Sequence, residues 1–305
     1  MQAASSLAAA REFATALNST ILACHKRPPS TTLTAAALKA ATCALKHSHS
    51  QHAEDLLLLP TLLLAAGWGR PGVFVELGAL DGMTYSNTIA LERCFNWTGV
   101  LIEGSPRNFA KLQRAERRAI KVHSAICNGN GTVPFTDGGG ELAADLTALP
   151  TRNQELLRKK GKIGQLSVDV PCRSLSSILR DAGHTSATFL SLDVQGAEKK
   201  VIASAQPSAF SLIMVETYGT GKAGHENGRL IKENIEADGL RESDELVVFG
   251  SSVFARRETQ LLPVREQDKA RRLHGGGFRL WQCKNQLGRK YDLVRPLWEF
   301  VNDAS

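Results

Sequence analysis

An apolar run that stops on spaced glycines constrains this chain more than any other feature. Val73-Phe-Val-Glu-Leu-Gly-Ala-Leu-Asp-Gly82 predicts a buried strand feeding a tight loop. Gly78 and Gly82 let the backbone turn sharply and approach a ligand where a Cβ would collide, just past the carboxyl end of a parallel strand. Thr84-Tyr-Ser-Asn-Thr-Ile-Ala-Leu-Glu-Arg-Cys-Phe95 follows, with polar capping candidates ahead of apolar residues near helical spacing. Gly99-Val-Leu-Ile-Glu103 then reads as a second buried strand ending on a carboxylate, which completes a strand, helix, strand unit. Glu103 lies about 25 residues beyond Gly78, where such folds bind the two ribose hydroxyls of a nucleoside.

The ligand class follows from what the loop lacks. A dinucleotide fingerprint needs Gly-x-Gly-x-x-Gly, with amides at a helix N-terminus holding a pyrophosphate, and Gly78-Ala-Leu-Asp-Gly82 does not supply it. Glu76 and Asp81 beside the glycines repel phosphate and suit a ligand with a cationic amino-acid portion. S-adenosylmethionine is therefore favoured over NAD.

A second block, Thr188-Phe-Leu-Ser-Leu-Asp-Val-Gln-Gly-Ala-Glu198, resembles the signature of FkbM-type methyltransferases, Asp-(Val/Ile)-(Glu/Gln)-Gly-x-Glu at the end of the fourth strand. Val73 to Gly82, Tyr85-Ser-Asn-Thr88, Trp97 to Glu103 and Leu212-Ile-Met-Val-Glu216 are similar to family segments in the same order, so the resemblance covers roughly residues 70 to 257. It departs at Gln195, where many members have Glu, and at Asp81, where many have Asn. The resemblance implies an α/β fold: a Rossmann-like class I methyltransferase sheet, mostly parallel, with a terminal antiparallel hairpin and helices on both faces. It also implies S-adenosylmethionine as cofactor and methylation of a hydroxyl on a sugar or small metabolite. A non-catalytic member used as an interaction or trafficking module is the alternative, and the intact set Glu76, Gly78, Glu103 and Asp193 argues against it.

In this reading Glu76, Gly78 and Asp81 line the methionine end, Gly82 turns the loop, and Tyr85, Ser86 and Asn87 open the first helix toward the methionine carboxylate. Glu103 takes the ribose, and Ser124 and Ala125, at the end of the third strand, border the adenine. Asp193 faces both cofactor and acceptor as general base or orienting group, with helix capping as its competing role. For Glu198, capping and substrate binding compete evenly. Glu216 completes an acidic rim suited to sugar hydroxyls, a divalent metal or a raised pKa, between which the sequence does not choose, and no metal site is assigned. His225, in the Gly-rich stretch Tyr218 to His225, is a second base candidate on a loop.

With 305 residues, 43% of them hydrophobic, the chain accommodates one large α/β domain and extensions. The expected division is an Ala-rich helical extension at 1–68, the methyltransferase domain at 69–257 and a basic C-terminal extension at 258–305. Helices around 2–24, 33–47 and 51–66 packed on the domain are preferred to an organelle transit peptide in the first thirty residues. Strands are expected near 73–77, 99–103, 120–125, 188–193 and 211–216, with a closing hairpin at 246–255 around Gly250. Helices are expected near 86–95, 106–116, 174–182, 196–205 and 226–238, and the stretch from Gly138 to Lys162 reads as a long insertion of the kind that forms lids.

The formal net charge of +7 is moderate and spread, so nucleic acid is not indicated, and the basic segment Lys269 to Arg279 reads as solvated surface. No apolar run reaches the 18 or so residues of a membrane span. The cysteines at 24, 43, 94, 127, 172 and 283 lack metal-site spacing; their even number permits disulfides, but scattered single cysteines in a chain of this size read as buried free thiols, and the redox compartment stays open. His47-Ser-His-Ser-Gln-His52 reads as a solvated polar loop rather than a metal site. Asn18, Asn96 and Asn130 each begin an Asn-x-Ser/Thr sequon, a number close to chance. Acceptor, oligomeric state and compartment stay open.

Overall fold

The computed structural model describes residues 2–23, 33–136, 140–149, 167–217, 222–246, 248 and 250–262, with short pieces at 154–155, 158–159, 161, 283–284 and 290–291. The segments Lys269 to Arg279 and Tyr218 to Gly221, and the side chains of Cys24, Cys283 and His225, lie outside the described residues.

The strands β1 (Val73–Leu77), β2 (Thr98–Glu103), β3 (Ile120–His123), β7 (Ala187–Leu192), β8 (Phe210–Glu216), β9 (Leu240–Glu242) and β10 (Ser251–Arg256) form one sheet in the order β3-β2-β1-β7-β8-β10-β9. The first five run parallel, and β10 pairs antiparallel with both β8 and β9. Period-two alternation assigns the two faces. Phe74, Leu101, Phe189, Leu212, Met214 and Val253 point to one side, whereas Val75, Val100, Ile102, Leu190, Ile213 and Phe254 point to the other.

The first face is covered by α1 (Gln2–Ala23), α2 (Ala35–His47) and α3 (Glu54–Ala65), whose Phe13, Leu17, Leu45 and Leu56 to Leu59 join the same core as the sheet. The leucine-rich α3 is buried from Glu54 to Leu63, as an all-round apolar helix in a globular protein must be. Among the described residues no helix is long and apolar enough to cross a membrane. The other face is covered by α6 (Leu175–Asp181), α7 (Glu198–Ser204) and α8 (Lys222–Ala237), through Ile178, Val201 and Ile235. α4 (Ile89–Phe95) and α5 (Pro106–Leu112) connect β1 to β2 and β2 to β3.

Several expectations are corrected. The strand expected at 120–125 splits at Ser124: β3 stays in the main sheet, while β4 (Ala125–Ile126) leaves it to pair with β6 (Ser167–Arg173). With β5 (Asn130–Thr136), β4 and β6 form a small second sheet in the order β4-β6-β5, so the insertion is bounded by strands. The closing hairpin is not centred on Gly250. Val248 and Ser251 make only an isolated bridge there, and the partner of β10 is β9. His225 lies within α8 rather than on a loop. Four of the cysteines are not free thiols: Cys43 is bonded to Cys94 and Cys127 to Cys172, and no described cysteine is free.

The first helix begins at Ile89 instead of 86 because the polar residues before it are spent on a buried carboxylate. Ser86 Oγ and Thr88 Oγ1 donate to Glu76 at 2.7 and 2.6 Å, and the Asn87 amide does so at 2.7 Å. Arg117, buried beneath this loop, donates to the Gly82 carbonyl at 2.6 Å, to Thr88 Oγ1 at 2.7 Å and to Glu92 at 3.2 Å, and stands 3.9 Å from Glu76. Removing one partner of a buried ionic network leaves the others uncompensated, at about 3–5 kcal/mol. Arg117→Ala is therefore expected to lower the urea-derived unfolding free energy by that amount, and a loss below about 1 kcal/mol would show the network to be dispensable.

Candidate active site

The carboxyl ends of β1 and β7 meet at one point. Asp193 N donates to the Leu77 carbonyl at 3.1 Å, and Gly78 has φ +86° with the Asp193 carbonyl so close that a Cβ would lie 1.7 Å from it. Only glycine satisfies both demands. Leu80, Tyr85 and Gln195 also hold positive φ, at 52°, 59° and 55°. Three non-glycine residues in that region around a single opening mark loops held by their surroundings.

The opening leads into a cleft of about 290 Å³, lined by Glu76, Gly78, Leu80, Tyr85, Asn87, Glu103, Ser124, Ala125, Asp193 and Glu216 among others. The sequence-selected residues Asp81, Gly82, Ser86 and Glu198 are not part of this lining. Asp81 instead accepts from the amides of Met83 at 2.9 Å and Thr84 at 2.7 Å and from the Thr84 hydroxyl. Desolvation works against these bonds, which nonetheless hold its carboxyl below the usual value. Ser86 is consumed by Glu76 and Arg117.

Glu103 ends β2 inside the cleft and accepts from Leu80 N at 2.8 Å and Ser105 N at 2.7 Å, one amide per oxygen. Burial pushes its carboxyl up to about 7, against the pull of those amides and with help from the Asp193 charge. Asn87 extends across the floor of the cleft. Its Nδ2 donates to Ser191 Oγ at 3.1 Å, while its buried Oδ1 has no hydrogen-bond partner.

The acidic rim is gathered as expected. Asp193, Glu198 and Glu216 bring carboxylate oxygens within 4.8 Å of one another, the one group among the described residues close enough to share a metal ion. Their environments differ. Glu198 is buried and accepts from Val194 N at 3.0 Å and from Gly196 N, so it ties down the loop that leads into α7, and burial raises its carboxyl. Asp193 makes no such cap; its Oδ1 accepts from Gln195 Nε2 at 2.8 Å. Burial, followed by hydrogen bonding and charge from Asp193, pushes Glu216 up to about 9. Burial and the neighbouring carboxylates thus favour the protonated form of Glu216.

Sequence reasoning missed two contributors. Residues 140–143 and Asp145 of the insertion line the cleft, held there by a two-way bond between Asn108 and the Gly140 backbone and by Lys200 on Asp145 at 2.6 Å. Gln51, His52 and Glu54 of the N-terminal layer wall a second cavity of about 300 Å³ that shares Gln51, Tyr85, Asn87, Ser191, Asp193 and Glu216 with the first. His52 belongs to the polar stretch read as a solvated loop. Ser48 and Ser50 in fact fasten that stretch onto the buried Asp55, at 2.8 and 2.6 Å.

A parallel sheet with an antiparallel pair at one end, helices on both faces and a cleft at the carboxyl ends of β1 and β7 is the class I methyltransferase arrangement. The Methyltransferase FkbM domain matches residues 76–236, more than half of the chain, and the protein belongs to that family. No curated protein matches the chain. Among solved structures it is similar to the methyltransferase FkbM from Methylobacillus flagellatus, at 13% identity and TM-score 0.36, over 77% of this chain and 69% of that one. It is also similar to an O-methyltransferase from Bacillus cereus in complex with SAH, at 13% identity and TM-score 0.34, over 74% and 91% of the two chains. A third is the SAH-bound methyltransferase PaMTH1 from Podospora anserina, at 11% identity and TM-score 0.31, over 79% and 87%.

The raised carboxyls set a pH dependence. An acid whose folded pKa exceeds its unfolded value near 4.5 keeps a proton that the unfolded chain has lost, so stability falls as pH rises through that window. For Glu103 the window runs from about 4.5 to about 7, and for Glu216 from about 4.5 to about 9. The thermal midpoint is expected to decline between pH 5 and pH 8, with Glu216→Gln flattening the decline above pH 7. A midpoint that rises over that range would contradict the proton assignment.

Proposed function

We propose that this chain is an S-adenosylmethionine-dependent O-methyltransferase acting on a hydroxyl of a sugar or small metabolite. The observation that carries the reading is the meeting of two cavities at Asp193: one reaches Glu103 and Ser124, and the other is walled by His52 and Glu54. The cleft fits the cofactor on its own chemistry. The orphaned Asn87 Oδ1 offers an acceptor to an ammonium group, in place of the carboxylate contact expected from the sequence. Glu103 takes one backbone amide on each oxygen and a further bond from the Asn108 side chain, and the carboxylate's remaining acceptor capacity serves a ribose hydroxyl. Ser124 and Ala125 border the adenine, and Gly78 leaves the backbone bare beside the methionine portion.

When bound, S-adenosylmethionine supplies a methyl group activated by a sulfonium. The protein aligns the acceptor oxygen with it, excludes water and takes the hydroxyl proton. Asp193 is the base in this assignment: two carboxylates, Asp193 and Glu216, line both cavities, and burial pushes the Glu216 carboxyl up so that Glu216 keeps its proton. Glu216, protonated, prevents a second full charge at the rim, and Glu198 positions the Asp193 loop. Glu76 and Asp81 act at one remove, by holding the loop that carries Tyr85 and Asn87.

Calorimetric titration with S-adenosylhomocysteine tests the cofactor half without knowledge of the acceptor. Binding in the micromolar range, weakened at least tenfold, or about 1.4 kcal/mol, in a folded Glu103→Ala variant, is the expected outcome. No binding to a folded wild-type chain would favour the interaction-module reading. In an acceptor screen beginning with glycans, Asp193→Asn should lower kcat by about 10²-fold or more at nearly unchanged S-adenosylhomocysteine affinity. Equal losses in both would make Asp193 a structural residue.

A further inference from the structure

Two disulfides and three sequons play no part in methyl transfer. Cys43–Cys94 joins α2 to the end of α4, and Cys127–Cys172 joins the turn between β4 and β5 to β6. Disulfides persist where the surroundings are oxidising, such as the lumen of the endoplasmic reticulum, and are rare in the cytosol. The same compartment attaches glycans to Asn-x-Ser/Thr, provided that the folded surface leaves room for a bulky polar group.

The fold sorts the three sequons. Asn18 lies inside α1 at 7% exposure, next to the buried Leu17, where a glycan would displace the helix from its core. Asn96 and Thr98 are exposed, but Asn96 occupies a left-handed turn with φ 55° directly before the fully buried Trp97, and its side chain, which would carry the glycan, is engaged through Oδ1 by Arg118 at 2.9 Å. Asn130 is different. Residues 128–132 are all exposed, a Cβ at Gly129 would meet nothing within 4 Å, and one at Gly131 would meet only Cys172 Sγ, at 3.8 Å. Thr132, exposed on β5, supplies the hydroxyl residue of the sequon. β5 is the edge strand of the second sheet; residues 144–146 bond to its far end at Pro134 and Thr136, and a glycan at its first residue would shield the near end from pairing with other chains.

We propose that this protein folds in the secretory route and carries an N-linked glycan on Asn130. The test is peptide mass spectrometry on the full-length protein isolated from its own source, digested without reduction and deglycosylated enzymatically in ¹⁸O-water. The expected result is conversion of Asn130 to labelled aspartate, an unlabelled Asn18, and Cys127 recovered joined to Cys172. An Asn130 peptide that is unmodified, or Cys127 and Cys172 thiols that alkylate before any reduction, would overturn the proposal. In a eukaryotic host secreting the full chain, Asn130→Gln and Thr132→Val should each abolish the glycosidase-sensitive mass that Asn128→Gln retains. Loss of that mass in none of them would place the glycan elsewhere and refute the assignment.

Discussion

The close approach of Gly78 to the Asp193 carbonyl is the constraint on which the rest of the site depends. A peptide oxygen sits where any other residue would place its Cβ, and that oxygen belongs to the residue whose carboxylate faces both cavities. The contact sets the distance between the loops after β1 and β7, at the point where the strand order runs outward in both directions from β1 and β7. Ligands of open α/β sheets collect at such a point, because the loops diverge there and leave a crevice between them.

Much of the architecture was legible in the sequence because it rests on local apolar runs. The five parallel strands are such runs, and the helices between them carry the alternative period. The small second sheet was not legible. β5 contains Gly131 and Pro134 and β6 contains Pro171, residues that demote a strand reading, and each strand exists only because the other pairs with it. The disulfides were hidden for a related reason: their partners lie 51 and 45 residues apart, and nothing local to a cysteine announces its mate.

The site divides along the same line. Glu103 and Asp193 were found from strand ends, and the fold brings both to the cleft. Glu76 was read as facing the ligand because it neighbours the glycine. It borders the cleft, but it shares a sheet face with Phe74, so its oxygens serve Ser86, Asn87 and Thr88. Its nearby cation, Arg117, comes from more than 40 residues away and carries no motif. The walls given by Gln51, His52 and Glu54 were equally out of reach, since a packed extension reveals which of its loops meets a distant crevice only after folding.

The bond between Cys43 and Cys94 gives that extension a second meaning. It staples α2, which leads directly into the loop of Gln51 and His52, to α4, the helix between β1 and β2. α3 is meanwhile buried along nearly its whole length. The N-terminal side of the second cavity is therefore held by a covalent bond as well as by packing. The opposite rim, residues 140–145, rests on the cleft through non-covalent contacts from Asn108, Thr136 and Lys200, so the two walls of the crevice are fastened by bonds of different strength.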